Sequence, residues 1–401
     1  MDEGAVDLNR GVLAPVADEV TLTDLEVSGR LPPELDGTLI RNGPNPFDGR
    51  FEGNDLLSWW VGPAMLHGLR LTSGRARWYR NRWVRTGHWA RFHQPDATID
   101  PARDQNTNVH LVAHAGSLLA LGEGGLPFLI DGWLNTVGPT TLRGALFGGS
   151  GVGGMTAHPK VDPERGELRY FRADWQAPYL RYGVLDRAGR STVDQEIEVP
   201  APAMMHDFAA TEQRCVFLDL NVAYDFELLQ HGAPIPLRWH DERPSRLGII
   251  DRLGGPVTWV EIEPCFVQHV VNAYDEGPDA LVLDVVRYPS FLRFDHETAA
   301  YAPNPLGVLW RYRVRFGPAG ATVEEGPLDD RHVELPRIDE RRTGRPYRYA
   351  YVVEQPSDTE MRGLARYDVV DGGSTHHRIP EGDQNSEPVF VARPGAVAED
   401  D

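Results

Sequence analysis

Three histidines stand where an imidazole could do chemistry. His158 lies in Met155-Thr-Ala-His-Pro-Lys160, behind a glycine-crowded run (Gly148, Gly149, Gly151, Gly153, Gly154) and ahead of the turn-like Val161-Asp-Pro-Glu-Arg-Gly166. His206 lies in Met204-Met-His-Asp-Phe208, and His269 in Cys265-Phe-Val-Gln-His-Val-Val-Asn-Ala-Tyr-Asp275. Neutral imidazoles converging on one point suit Fe, Zn, Cu or Ni, whereas Ca or Mg would call for carboxylates. Three carboxylates have another use. Glu123, Glu334 and Glu387 each sit near a proline and an apolar strand, and a buried carboxylate needs a partner such as an imidazole N–H. That pairing would fix the orientation and basicity of a ligating ring. Each glutamate alone also fits a surface residue beside a turn, and a lone histidine is more often a hydrogen-bonded loop residue than a ligand.

The elements that must position these residues are strands. Short apolar or alternating runs bounded by Gly, Pro or Asn recur at Thr38–Arg41, Gly68–Thr72, Ala76–Arg80, Ser117–Leu121, Glu167–Arg172 and Cys215–Leu220. They continue at Thr258–Ile262, Ala280–Val286, Val308–Val314, Arg348–Val353, Gly363–Val369 and Pro388–Val391. Helical periodicity is nearly absent, so the chain reads as all-β. At 401 residues a closed propeller is the expected solution. The histidines are 48 and 63 residues apart. A propeller blade takes roughly 40–50 residues, so each histidine could come from a different blade. No literal repeat is visible, and no composition break marks a second domain. Residues 1–401 therefore read as one domain, with 1–37 as an N-terminal arm.

Composition bounds the function. The formal net charge of -19 repels a phosphate backbone, so a nucleic-acid partner is disfavoured. Lys160 is the only lysine among the basic residues. Two cysteines, Cys215 and Cys265, make neither a disulfide framework nor a CxxC site, which suits a reducing cytoplasm. No signal-peptide pattern and no apolar run long enough to span a bilayer is seen. Asp131–Phe147 carries Trp133, Leu134, Val137, Leu142, Leu146 and Phe147 between strands. It reads as a loop packed over the fold or as an apolar patch that touches lipid. There is no Gly-x-Ser-x-Gly elbow and no Cys-His pairing, so no side-chain nucleophile is in view.

Together these motifs resemble the carotenoid cleavage oxygenase family, which includes apocarotenoid oxygenases, lignostilbene dioxygenases and the retinal-pigment-epithelium isomerase. The resemblance runs from Gly37-Thr-Leu-Ile-Arg-Asn-Gly-Pro-Asn-Pro46 to the last residues. It includes Met65-Leu-His-Gly68, Tyr79-Arg-Asn-Arg-Trp-Val84, Asn106-Thr-Asn-Val109, the Thr-Ala-His-Pro and His-Asp-Phe motifs and the Val333–Tyr351 block. Trp59-Trp-Val-Gly-Pro-Ala-Met65 departs from it, because the family usually has an Asp-Gly-containing run there.

The resemblance implies a seven-bladed β-propeller with loops and short helices capping one face. On its axis a non-haem Fe(II) would be held by four histidines, three of them His158, His206 and His269. It implies that Glu123, Glu334 and Glu387 hold the second to fourth histidines, and that Thr107 shadows the vacant iron position. The fourth histidine would follow Ser386-Glu-Pro-Val-Phe390 and lie beyond Asp401. On that reading the chain is C-terminally truncated and its last blade incomplete. The implied reaction uses O₂ to split one C=C bond of an apolar polyene into two carbonyl products. Stilbene-cleaving relatives place a Lys before the first glutamate and a Tyr after the Arg-Asn-Arg-Trp-like strand. Here Gly122 precedes Glu123 and no Tyr lies between Tyr79 and Tyr170, so a carotenoid or apocarotenoid is expected over a stilbenoid. The readings from other classes are a hydrolase or lactonase propeller with a divalent ion, against which the histidine set argues, and a truncated binder without turnover.

Overall fold

The structure, a computed structural model, describes residues 8–51, 59–98, 106–146, 154–357 and 360–401. The chain divides into two compact units, residues 1–157 with 187–190, and residues 158–186 with 191–401.

Among its described residues the first unit holds two four-stranded antiparallel sheets. In one, Thr21–Leu22, Arg75–Trp83, Ala64–Thr72 and Gly37–Pro44 lie side by side in that order. In the other, His110–His114, Ser117–Leu121, Phe128–Ile130 and Thr136–Pro139 form a simple meander. Two hairpins close on two-residue loops, Ser73-Gly74 and Ala115-Gly116, with positive φ at both positions. That backbone twist matches the twist of the flanking strands, and a glycine in each loop carries part of the requirement without steric cost. Ala64, Leu66, Val84, Ala120, Phe128, Ile130 and Leu134 form the core. The N-terminal arm is fastened by asparagines. Asn81 bonds the backbone of Val20 and Asp18, and Asn45 bonds that of Val16. Gly87–His93 forms a short helix capped by the Thr86 hydroxyl.

The second unit opens with the sheet Lys160–Val161, Leu168–Ala173, Leu180–Leu185 and Ser191–Glu196. A second sheet follows: Ala209–Ala210, Arg214–Asp219, Ser245–Asp251 and Thr258–Ile262. The largest sheet orders seven strands: Phe266–Asp275, Ala280–Tyr288, Val308–Gly317, Gly320–Arg337, Tyr349–Glu354, Leu364–Asp368 and Ser374–His377. Its core, including Leu281, Leu283, Val285, Tyr312 and Val314, is continuous with Val216, Leu218 and Leu247 of the preceding sheet.

The architecture is all-β, as the strand grammar implies, but the expected seven-bladed propeller with an incomplete last blade is not what forms. Among the described residues no sheet closes on itself or curls strongly. Each sheet is an open run of antiparallel neighbours ending in two edges. The long strand Gly320–Arg337 shows why strand counting misleads. Its first part pairs with Val308–Gly317 and its last part with Tyr349–Glu354, so two groups that would be counted as separate blades are one sheet. Closure requires a first and a last strand to meet, and local hydrophobic alternation carries no information about that. Pro388–Val391 is not a strand either; Val389 and Val391 are exposed, so no buried face fixes a register.

Buried aspartates lace the second unit. Asp162 accepts from the Glu164 and Arg165 amides, and from the guanidiniums of Arg165, Arg169 and Arg345. Asp284 is gripped by both ends of the Arg311 fork and by the Tyr347 hydroxyl. Burial opposes ionisation of Asp162, but the two amides and the arginines outweigh it and hold the carboxyl below its ordinary value. A depressed carboxyl pKa stabilises the fold above the unfolded value and loses that contribution as pH falls through the folded one. Asp162→Asn should therefore cost about 3 kcal/mol at neutral pH. In thermal melts the variant should lose less stability than the wild type as pH drops below ~4.

Candidate metal centre

The second unit places His158, His206 and His269 together from three separate segments. His158 precedes the strand Lys160–Val161, His206 precedes Ala209–Ala210, and His269 lies inside Phe266–Asp275. The Nε2 atoms of His158 and His206 are 3.0 Å apart, and those of His206 and His269 are 3.2 Å apart. One ligand atom from each ring lies within 4.8 Å of the others.

His269 reaches this point through a backbone irregularity. Between Val267 and Val270 its strand carries one residue more than its partner strand, which is a β-bulge that re-aims a side chain. The strand that supplies Glu334 is bulged in the same way between Glu334 and Arg337, where Leu335 has a φ of 50°. The two bulges let the side chains meet. His269 Nδ1 donates to Glu334 Oε2 over 2.6 Å, Tyr288 Oη donates to Glu334 Oε1 over 2.7 Å, and the Leu335 amide donates to Oε2 over 2.5 Å.

The electrostatics follow. Burial disfavours a charged His269, but the Glu334 carboxylate beside it outweighs burial, with Asp207 and Glu387 adding, and the imidazole is pushed up to about 9. Burial likewise disfavours an ionised Glu334, yet the His269 pairing and the Tyr288 and Leu335 bonds pull its pKa below the ordinary value. Burial, then the Glu334 charge, drives the Tyr288 phenol well above its usual range, so it stays a donor.

These residues fit a transition-metal ion. Cis donors on a six-coordinate ion with ~2.1 Å bonds sit ~3.0 Å apart, close to the two nitrogen separations. The Nδ1 proton of His269 is committed to Glu334, so Nε2 is the atom that faces the group, and a metal competes there with a proton. An all-nitrogen set disfavours Ca and Mg.

The other expected site residues lie elsewhere. Glu387 is partly exposed and ion-paired with Arg337 at 3.2 Å. Glu123 is exposed on the turn after Ser117–Leu121, in the first unit. Thr107 is buried in the first unit, and its hydroxyl has no hydrogen-bond partner among the described residues. Of the 131–147 stretch, Trp133 and Val137 are exposed while Leu134 and Leu146 are buried; Phe147 and the glycines at 148, 149, 151 and 153 lie outside the described residues. Both cysteines are buried and free. No helix among the described residues is long and apolar enough to cross a membrane. Sequence reasoning assigned no role to Tyr288, Lys160 or Asp207. The first carries no local signal, but the other two stand within two residues of a flagged histidine.

Residues 13–401 match the family model described as "Retinal pigment epithelial membrane protein". A Mycobacterium tuberculosis protein named "Carotenoid cleavage oxygenase" is 35% identical, covering 98% of this chain and 87% of that one. The chain belongs to the carotenoid cleavage oxygenase family. A Pisum sativum relative named "Carotenoid 9,10(9',10')-cleavage dioxygenase 1" is 30% identical over 98% of this chain and 80% of its own. Among solved structures, a Pseudomonas brassicacearum lignostilbene dioxygenase superposes with a TM-score of 0.86 at 26% identity, covering 99% of this chain and 88% of that one. A cobalt-substituted Synechocystis ACO superposes with a TM-score of 0.81 at 25% identity, over 97% of this chain and 87% of that one. For a member of this family, the histidine group is the expected place for iron.

Replacing Glu334 with Gln keeps the shape but removes the charge that orients His269. Metal affinity should fall by roughly 10–100-fold, read by titrating metal-free protein with Fe(II) under anaerobic conditions. An unchanged affinity would show that the carboxylate does not support the ligand.

Proposed function

We propose that this chain is a non-haem Fe(II) dioxygenase that cleaves a C=C bond of a carotenoid or apocarotenoid to two carbonyl products. The observation that carries the reading is the convergence of His158, His206 and His269, with Glu334 behind one of them, in a chain of this family. A ferrous ion bound there supplies the electron density that activates O₂, which no side chain can provide. The protein's own tasks are narrower. The three imidazoles would hold the ion by nitrogen, while Glu334 fixes the His269 ring and Tyr288 keeps Glu334 in place.

A stilbenoid substrate is the second reading, raised by the lignostilbene dioxygenase likeness. The position that would bear a phenol-anchoring lysine argues against it. A Cβ at Gly122 would lie 1.7 Å from the backbone oxygen of Asn106, so no side chain fits there. An apolar polyene needs no such anchor; an apolar channel suffices. Iron-loaded protein should therefore convert an apocarotenal to shorter aldehydes at least tenfold faster than a hydroxystilbene. Turnover of the stilbene alone would overturn the assignment. In the same assay Thr107→Val, which removes a buried hydroxyl with no hydrogen-bond partner among the described residues, should lower turnover with little loss of stability, in keeping with the family threonine it matches.

We also propose a peripheral lipid contact through Trp133 and Val137, the exposed apolar residues of the 131–147 stretch, because a polyene substrate partitions into membranes. Trp133→Ser with Val137→Ser should reduce co-sedimentation with neutral phospholipid vesicles without unfolding the protein, although Trp133 also stacks on Trp78. Equal sedimentation of variant and wild type would remove this surface from the reading.

A further inference from the structure

Next to the histidines lies an ion pair that the reaction itself does not call for. Lys160, the only lysine in the chain, stands two residues after His158. Its Nζ is 2.6 Å from Oδ1 of Asp207, a side chain only 2% exposed. Asp207 directly follows His206. Its Oδ1 also accepts from the Phe208 amide at 2.7 Å, and its Oδ2 accepts from the Val270 amide at 2.8 Å. Val270 directly follows His269. One buried carboxylate thus touches every segment that bears an imidazole of the group, within one or two residues of each ligand.

We propose that Lys160 and Asp207 are positioning residues that set the spacing of the three imidazoles. The proposal rests on the reading of the histidine group as a metal centre. The short contacts between imidazole nitrogens orient ring atoms and not the chain, so the spacing of the three rings also depends on how their backbones are held. Glu334 grips one ring. Asp207 grips backbone, and it joins the segment of His269 to that of His206 by accepting a hydrogen bond from the Val270 amide, and to that of His158 by its ion pair with Lys160. An ionised carboxylate this deeply buried needs its cation, and an ammonium on a four-carbon stem supplies a compact charge that several geometries can accommodate. Loss of the charge would let the His158 segment move away from the other two while the sheets stay intact.

The test uses the 401-residue chain stripped of metal and titrated with Co(II) alone, read by calorimetry and by the visible spectrum of the bound ion. Melting temperature is measured in parallel without metal. Lys160→Met and Asp207→Asn should each weaken Co(II) binding by roughly tenfold or more and shift the visible bands. Lys160→Arg, which restores the charge, should recover most of both. Should Asp207→Asn fail to fold, Lys160→Met, which keeps the aliphatic stem, carries the experiment. Variants that melt lower but bind Co(II) with wild-type affinity and spectrum would reduce the pair to an ordinary structural salt bridge and overturn the proposal. Failure of Lys160→Arg to bind better than Lys160→Met would overturn it too. Absence of Co(II) binding in the wild type would instead defeat the metal-centre reading beneath it.

Discussion

The structure depends on keeping three partly buried imidazole nitrogens aimed at one another at about hydrogen-bond distance. A ring that turns by one rotamer removes a ligand, so orientation has to come from neighbours. For His269 the neighbour is Glu334, buried, charged and triply bonded. A carboxylate so placed would be unfavourable alone. The imidazole, the phenol of Tyr288 and the Leu335 amide make it tolerable, and in return it commits one ring nitrogen and leaves the other for chemistry.

Irregular backbone makes that contact. His269 and Glu334 lie on different strands of the same sheet, at bulges where each strand has one residue too many. In a regular ladder the side chains would keep strict alternation, and neither could be re-aimed without turning over its strand. The surrounding sheet carries the cost. Its strands are long, and Leu281, Leu283, Val285, Tyr312 and Val314 are fully buried.

A second pattern supports the same region. Among the described residues Asp162, Asp219 and Asp284 are almost completely buried, and each is gripped by arginine. Arginine's planar fork satisfies both oxygens of a carboxylate, which suits deep ion pairs better than a point charge does. Against that background the single lysine is informative, because it stands beside the histidine group and nowhere else. Gly122 shows the converse use of sequence: the absence of a side chain is forced by the Asn106 carbonyl, and it limits how a substrate can be held.

The residues determined a good deal without coordinates. The His-Pro-Lys, His-Asp-Phe and Gln-His-Val-Val contexts singled out three of fourteen histidines, and the structure brings those three together. Ser117–Leu121 and Thr258–Ile262 were legible to the residue, because turn chemistry bounds them and alternation fills them. Tertiary structure alone decided how the strands join. It made one open seven-stranded sheet where counting suggested separate blades, and it placed Glu387 on Arg337 and Glu123 on an exposed turn. Only tertiary structure could reveal that Asp207 touches the neighbours of all three histidines. The physical reason is range: hydrophobic period and turn residues act over a few positions, whereas closure, bulge placement and carboxylate partners depend on contacts between segments tens of residues apart.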